Sequence, residues 1–288
     1  MSQIPYIGRF APTPTGPLHF GSLVAALASY LDAKAHHGKW LLRIEDLDPP
    51  REDPNAAQLI PQQLKDHGLI WDGEIIHQSQ QSKDYEAALT QLAQQGDTFN
   101  CQCSRKQLSA TNGLHLGPCN SSDSNAAIRL QVPDQIIGFR DEVYGDFEQN
   151  LLTDVGDQIL KRKDGLYAYQ LAVVVDDHLS GITHVVRGLD LLDNTPRQLY
   201  LMQRLGYSVP HYLHIPLVTN EQGQKLSKQN KAMAIESSKA KQNILRALKF
   251  LHQTITPAME QAELPQLLVM ATEHWQPSLI TPSKAGLV

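Results

Sequence analysis

The stretch Tyr6-Ile7-Gly8-Arg9-Phe10-Ala11-Pro12-Thr13-Pro14-Thr15-Gly16-Pro17-Leu18-His19-Phe20-Gly21-Ser22, with the helix and strand after it, decides the fold. Ile4 to Phe10 reads as a short strand, and the prolines at 12, 14 and 17 force a rigid loop after it. From Ser22 to Ala35, residues Leu23, Ala26, Leu27, Tyr30 and Leu31 recur at three- and four-residue spacing, which predicts a helix ended by Gly38. Trp40 to Ile44 is then a second strand. A strand–loop–helix–strand run of this kind is a βαβ unit with a parallel sheet. Ligands of such sheets sit at the carboxyl ends of the strands, where residues 10–22 and 45–53 fall.

His19-Phe20-Gly21-Ser22 stands where the loop becomes the helix. A helix N-terminus offers unpaired N–H groups and partial positive charge, so it suits a phosphate. Gly21 permits close backbone approach, Ser22 can cap or donate, and His19 can donate to a phosphate oxygen. No Gly-Lys-Ser/Thr follows, so this is not a P-loop, nor is it a Gly-x-Gly-x-x-Gly fingerprint. Much later come Lys225-Leu226-Ser227-Lys228-Gln229, two lysines three apart in a polar loop that reads as mobile. Such a loop can close over a triphosphate and neutralise charge moving onto a pyrophosphate leaving group.

Outward from these landmarks, residues 55–68 and 82–95 read as amphipathic helices, anchored by Leu59, Ile60 and Leu64 and by Tyr85, Leu89 and Leu92. Ala127 to Leu166 is strand-like. Leu171-Ala172-Val173-Val174-Val175 reads as a buried strand with Asp176-Asp177-His178 at its end. Val185 to Gly188 suggests another strand, Pro196 to Leu205 a helix closed by Gly206, and the chain from Ser238 more helices, until Pro277 and Pro282 break the tail.

The chain has 288 residues, a net charge of -5 and 41% hydrophobic residues, which fits a globular protein and argues against one wrapped in nucleic acid. No apolar run approaches a membrane span, and Met1-Ser2-Gln3-Ile4-Pro5 lacks the features of a signal peptide, so a cytoplasmic location is expected; a monomer is the separate working expectation. The cysteines, three in all, fall in one polar stretch: Cys101, Cys103 and Cys119. An odd, clustered set disfavours a disulfide framework and favours metal binding in a reducing compartment.

The two loops together resemble the signature pair of class I aminoacyl-tRNA synthetases. Arg9-Phe10-Ala11-Pro12-Thr13-Pro14-Thr15-Gly16, Arg43-Ile44-Glu45-Asp46 with Asp48, and Thr183-His184-Val185-Val186-Arg187-Gly188 are similar to the glutamyl and glutaminyl branch. The resemblance runs from Tyr6 to about Ala234. It implies an α/β fold of class I type: a Rossmann-like parallel sheet, a zinc-containing insertion and a short C-terminal helical region. The implied division is 1–98 and 166–235 for the two catalytic halves, 99–165 for the insertion and 236–288 for the helical region. Too few residues follow Gln229 for a separate anticodon-reading domain. On that count the chain looks like the truncated glutamyl-queuosine tRNA(Asp) synthetases, with a minimal glutamyl-tRNA synthetase charging the tRNA 3′ end as the alternative.

What the resemblance implies residue by residue is as follows. His19, Gly21 and Ser22 serve the nucleotide and α-phosphate of ATP, accompanied by Mg²⁺. Lys228 is the transition-state cation, with Lys225 assisting at the pyrophosphate. Arg9 sits on the side-chain carboxylate of L-glutamate, Glu45 receives its ammonium, and Tyr169 and Arg187 make further contacts, with Phe10, Ala11, Pro12 and Thr13 lining the pocket. Asp176 and Asp177 orient a neighbouring loop, and His36, His37, His211 and His214 are packing or surface residues. Cys101, Cys103, His115 and Cys119 form a structural Zn²⁺ site, although the subfamily usually has Tyr where His115 stands. Six surplus positive charges across residues 225–249 mark the path of the phosphate backbone of a tRNA(Asp) anticodon arm carrying queuosine. A nucleotidylyltransferase of the same superfold would lack the Arg9/Glu45/Arg187 set, and a catalytically dead RNA-binding paralogue would have lost His19 or Lys228.

Overall fold

The computed structural model describes residues 5–119, 125–219 and 233–283, and the backbone of 286–287. Lys225, Lys228 and Lys231 lie outside the described residues.

The chain opens with β1 (Ile7–Phe10), α1 (Phe20–Ala35) and β2 (Lys39–Ile44), the predicted βαβ unit. β1 and β2 pair in parallel, with Arg9 opposite Leu41, and β3 (Ile76–His77) adds in parallel beyond β2. Gly38 does not end α1 by a positive φ. His37 takes the left-handed conformation instead, at φ 54°. Gly38 is there for space, since a Cβ would stand 2.5 Å from the Tyr6 carbonyl oxygen. Between β2 and β3 runs α2 (Ala56–Asp66), and α3 (Ser82–Gln94) follows. Ile60 and Leu64 of α2 are buried, but Leu59 is on the exposed side.

An antiparallel sheet comes next, from β4 (Thr98–Cys101), β5 (Ala127–Leu130) and β8 (Gln158–Lys161). A hairpin of β6 (Ile136–Asp141) and β7 (Gly145–Asn150) lies within it in sequence. The second parallel half is built from α4 (Tyr169–Leu179), β9 (His184–Gly188), α5 (Thr195–Leu205) and β10 (His211–Ile215). β10 pairs in parallel with β9 on one side and meets β6 at Asp141 on the other. The Thr183 amide donates to the Ile7 carbonyl at 2.9 Å, and the Ile7 amide donates to Thr183 Oγ1. These bonds set β9 beside β1, so the strand order runs β3-β2-β1-β9-β10. The chain order reverses at β1/β9, the switch point where such sheets bind ligands.

The apolar run Leu171–Val175 is helix, not strand. Every residue from Leu171 to Asp177 is buried, because α4 packs between α3, α5 and β8. A helix covered on all sides has no polar stripe, so its sequence reads like a buried strand.

After β11 (Val218–Thr219), the chain is next described from residue 233 and forms α6 (Ala240–Phe250), α7 (Pro257–Gln261) and α8 (Leu264–Glu273). Their Ile244, Leu248, Leu251 and Leu267 share one core with Leu23, Leu27 and Leu31 of α1. Asp32 of α1, itself buried, accepts from the Tyr6 hydroxyl and, at 2.9 Å, from Trp275 Nε1. A second core joins Tyr85, Leu89 and Leu92 of α3 to α4 and α5. Among the described residues, no helix is long and apolar enough to cross a membrane.

Candidate active site

A cavity of about 1200 Å³ opens at the carboxyl ends of β1, β2, β9 and β10. Arg9, Phe10, Ala11, Pro12, Thr13, His19, Gly21, Ser22, Glu45, Tyr169 and Arg187 all line it. The loops after β1 and β2 are stitched together there: the Glu45 amide donates to the Pro12 carbonyl and the Asp53 amide to that of Pro14.

At one end lies the N-terminus of α1. His19, not Ser22, is its cap: His19 is extended and its Nδ1 accepts from the Ser22 amide at 3.2 Å. Accepting at Nδ1 puts the proton of the neutral ring on Nε2, the donor a phosphate oxygen needs. No acid stands in the first turn, so the helix dipole is not offset. A Cβ on Gly21 would sit 3.2 Å from the His19 ring, so glycine keeps the backbone open. Gln63 of α2 fixes the approach, accepting from the Leu18 amide at 2.8 Å and donating to the Ile235 carbonyl. Ala234 pairs with His19 in an isolated bridge, and Val218 lies beside Gly21. Val218 and Ala234, which flank Lys225 and Lys228 in sequence, therefore both lie at the helix N-terminus.

At the other end, charged groups are buried in an alternating set. Asp177 accepts from Arg9 Nε at 3.1 Å and Nη2 at 3.3 Å, and from Arg43 Nη1 at 2.6 Å. Burial would raise the Asp177 pKa, but the two guanidiniums outweigh it and hold the carboxyl below the usual range. Asp176 behaves oppositely: it accepts from Gln78 and Tyr85, and burial pushes it up despite Arg43. Asp177 thus orients two arginines of the sheet from a helix, while Asp176 holds Gln78, in the segment after β3, and Tyr85. Sequence reading missed this because the partners are far apart in the chain. Tyr169 opens α4 at the cavity wall, where burial raises its pKa.

Glu45 is buried 3.5 Å from Arg43 Nη2. Burial pushes its pKa up to about 7, against the pull of Arg43 and Arg9. Only the ionised form accepts from a ligand ammonium. With Glu45 in the ammonium-binding role that the resemblance implies, the Michaelis constant for glutamate should rise by up to about tenfold per pH unit below that pKa, with that for ATP unmoved. The stability sign is opposite to a salt-bridged acid. Glu45 binds its proton more tightly folded than unfolded, so its contribution is full below about pH 4 and lost as pH rises through about 7. Glu45→Gln should melt higher than wild type at pH 8 while losing glutamate binding. Lower stability at that pH would contradict the buried-carboxyl account.

The ligand atoms of Cys101, Cys103, His115 and Cys119 lie within 4.8 Å of one another, a cluster able to hold a metal ion. Cys103 and Cys119 sulfurs are 3.8 Å apart, the edge of a tetrahedron with metal–sulfur bonds of about 2.3 Å. His115 Nδ1 meets Asp157 Oδ2 at 2.8 Å, leaving Nε2 toward Cys119 at 3.3 Å. Burial and the Cys101 and Cys103 sulfurs push the Cys119 thiol up to about 12, a cost that a bound cation would offset. Asp157 has no signal in the sequence.

Comparison with known proteins follows the same lines. The family model for tRNA synthetases class I (E and Q), catalytic domain, matches residues 7–124 and 117–264. The glutamyl-Q tRNA(Asp) synthetases of Pseudomonas entomophila and Pseudomonas putida strain W619 are each 52% identical over 97% of this chain and 96% of their own length. A glutamate tRNA ligase of Elizabethkingia meningosepticum, solved with its amino acid, superposes with a TM-score of 0.80 at 23% identity. It covers 96% of this chain, which spans 66% of that longer ligase, and at that identity it speaks for the fold alone. With the matching cavity and signatures, these findings show that the chain belongs to the class I tRNA synthetases of the E and Q branch, a family of ligases, and within it to the glutamyl-Q tRNA(Asp) synthetases.

Proposed function

We propose that the chain uses ATP to activate L-glutamate as glutamyl-adenylate without RNA, and transfers it to the cyclopentene-diol of queuosine at the wobble position of tRNA(Asp). One observation carries the reading: a single cavity is lined both by the buried Arg9/Glu45/Arg187 set and by the uncompensated N-terminus of α1. The relatives' shared name supplies the acceptor.

Adenylation needs no general base. The α-carboxylate of glutamate is already ionised and attacks the α-phosphorus in line as pyrophosphate leaves. The protein must hold both partners and stabilise phosphoryl charge. Glu45 takes the ammonium, Arg9 the side-chain carboxylate, and Tyr169 and Arg187 the rest of the amino acid. His19 Nε2, the Gly21 amide and the Ser22 hydroxyl take the α-phosphate, and Lys228 and Lys225 take the charge that moves to pyrophosphate. Mg²⁺ bound to ATP supplies further neutralisation. Transfer also needs little proton chemistry, because the adenylate phosphate accepts the hydroxyl proton.

ATP–pyrophosphate exchange across the amino acids tests this. Exchange with glutamate alone is expected, and strict dependence on tRNA would favour charging of a 3′ end instead.

The metal of the cysteine cluster is assigned as zinc in a structural role, since four protein ligands leave no position for water. Purified protein should carry close to one zinc per chain, and Cys101→Ser/Cys103→Ser should carry none and lose solubility before chemistry. Full zinc loading of that double variant would refute the site. Three unpaired cysteines fit a reducing cytoplasm.

A further inference from the structure

We propose that His214, fixed by Asp141, is a positioning residue that holds Arg187 in place for glutamate. This rests on the reading of Arg187 as a glutamate contact. Arg187 of β9 and His214 of β10 are direct partners in the parallel pair. Arg187 Nε donates to His214 Nε2 at 3.0 Å. A guanidinium has five N–H donors and no acceptor, so the imidazole nitrogen it meets must be bare. The ring is then neutral with its proton on Nδ1, and Nδ1 lies 2.6 Å from Asp141 Oδ2. Burial, with Arg187 nearby, lowers the His214 pKa in spite of Asp141, in keeping with a neutral ring.

Asp141 is held as firmly as it holds. Its Oδ2 also accepts from the His214 amide at 3.0 Å, and its Oδ1 accepts from the Val143 and Tyr144 amides. Neither oxygen has a donor role, so a carboxylate fits this seat and fixes the tautomer. His214 and Asp141 are at most 1% exposed.

The rest of the guanidinium is equally committed. Nη1 donates to Gln198 Oε1 at 2.8 Å, and Nη2 donates to Thr195 Oγ1 at 2.8 Å and the Leu191 carbonyl at 3.2 Å. The Tyr212 ring lies 5.3 Å from Cζ. Among the described residues, four of the five donors are therefore taken by protein, and one N–H on Nη1 remains for ligand. Arg187 acts as a single aimed donor, not as a bidentate fork. Where that donor points depends on the acceptor at His214 Nε2.

The test compares three substitutions at 214. Glutamine places a carbonyl near the Nε2 position, asparagine reaches only the Nδ1 position, and phenylalanine keeps the shape with neither. In glutamate-dependent exchange, His214→Asn and His214→Phe should raise the Michaelis constant for glutamate about tenfold, the size of one charged hydrogen bond. That for ATP should stay within about twofold, and His214→Gln should recover most of the loss. Equal behaviour of Asn and Gln, or parallel losses for both substrates, would overturn the proposal. Nitrogen NMR of ¹⁵N-histidine wild-type enzyme, with His214 assigned from the variant spectra, should show Nδ1 protonated and Nε2 bare. A protonated Nε2 would overturn it whatever the kinetics of the variants. Arg187→Lys separates the two readings. Unchanged glutamate affinity there removes Arg187 from the site and this inference with it. Raised values there, beside unchanged ones in His214→Asn and His214→Phe, would sink the His214 role alone.

Discussion

Lys228→Ala is expected to lower the rate of glutamate activation by about 10²–10³-fold, the usual cost of deleting one transition-state electrostatic donor. Glutamate binding should be almost unchanged. The reason is where charge develops. Substrate ATP already carries its negative charge into the site, but the α-phosphoryl transfer shifts density onto the departing pyrophosphate. A cation that meets that shifted charge acts on the rate and little on the ground state. The described structure supplies the frame for this. Val218 beside Gly21 and Ala234 paired with His19 bring the residues that flank the lysine-bearing segment to the N-terminus of α1. Stopped-flow or exchange kinetics would check the prediction. Equal losses in glutamate affinity and rate would assign Lys228 to binding instead.

The second large effect concerns the acceptor. An isolated anticodon stem-loop of tRNA(Asp) carrying queuosine should accept glutamate, and the same hairpin with unmodified guanosine should accept none, because it lacks the diol that forms the ester. The acceptor arm has no part in this pose, so truncating the RNA to the hairpin should spare the reaction. Phosphates are expected along Lys239, Lys241, Arg246 and Lys249, of which Arg246 stands over the Phe20 ring, 4.4 Å from its centroid, at the N-terminus of α1. Binding should therefore weaken steeply with salt, with a logarithmic slope of about -0.7 per neutralised phosphate in single strands and about -0.9 in duplex. Filter binding across salt and acid-stable counting of labelled glutamate on the hairpin would measure both. Transfer to the 3′-terminal adenosine of tRNA(Glu), with none to the modified hairpin, would overturn the acceptor while leaving the adenylation chemistry in place.

Much of the site was legible in the sequence because its signals are local. The proline-rich loop, the apolar spacing of α1 and the clustered cysteines each declare themselves within about twenty residues. Features made by distant partners were not. Asp177 reads as an acid at a strand end until β1 and β2 bring Arg9 and Arg43 onto it. His214 reads as a packing histidine until Asp141 arrives from a hairpin some seventy residues back. The strand assignment for Leu171–Val175 failed for a different reason: total burial erases the periodicity by which a helix is recognised. At His19 the sequence marked the start of a helix and left Ser22 free to cap it or to donate, and the structure gives the cap to the histidine.

The seat of Trp275 has a consequence for how the molecule comes apart. Its indole N–H and the Tyr6 hydroxyl both end on the buried carboxylate of Asp32, which ties the region after α8 to the first strand and helix of the chain. Removing the C-terminal helices would leave Asp32 short of a donor and strip cover from Leu23, Leu27 and Leu31. Local opening there and global unfolding should then cost nearly the same free energy, with α1 and α8 exchanging their amide hydrogens as one cooperative unit.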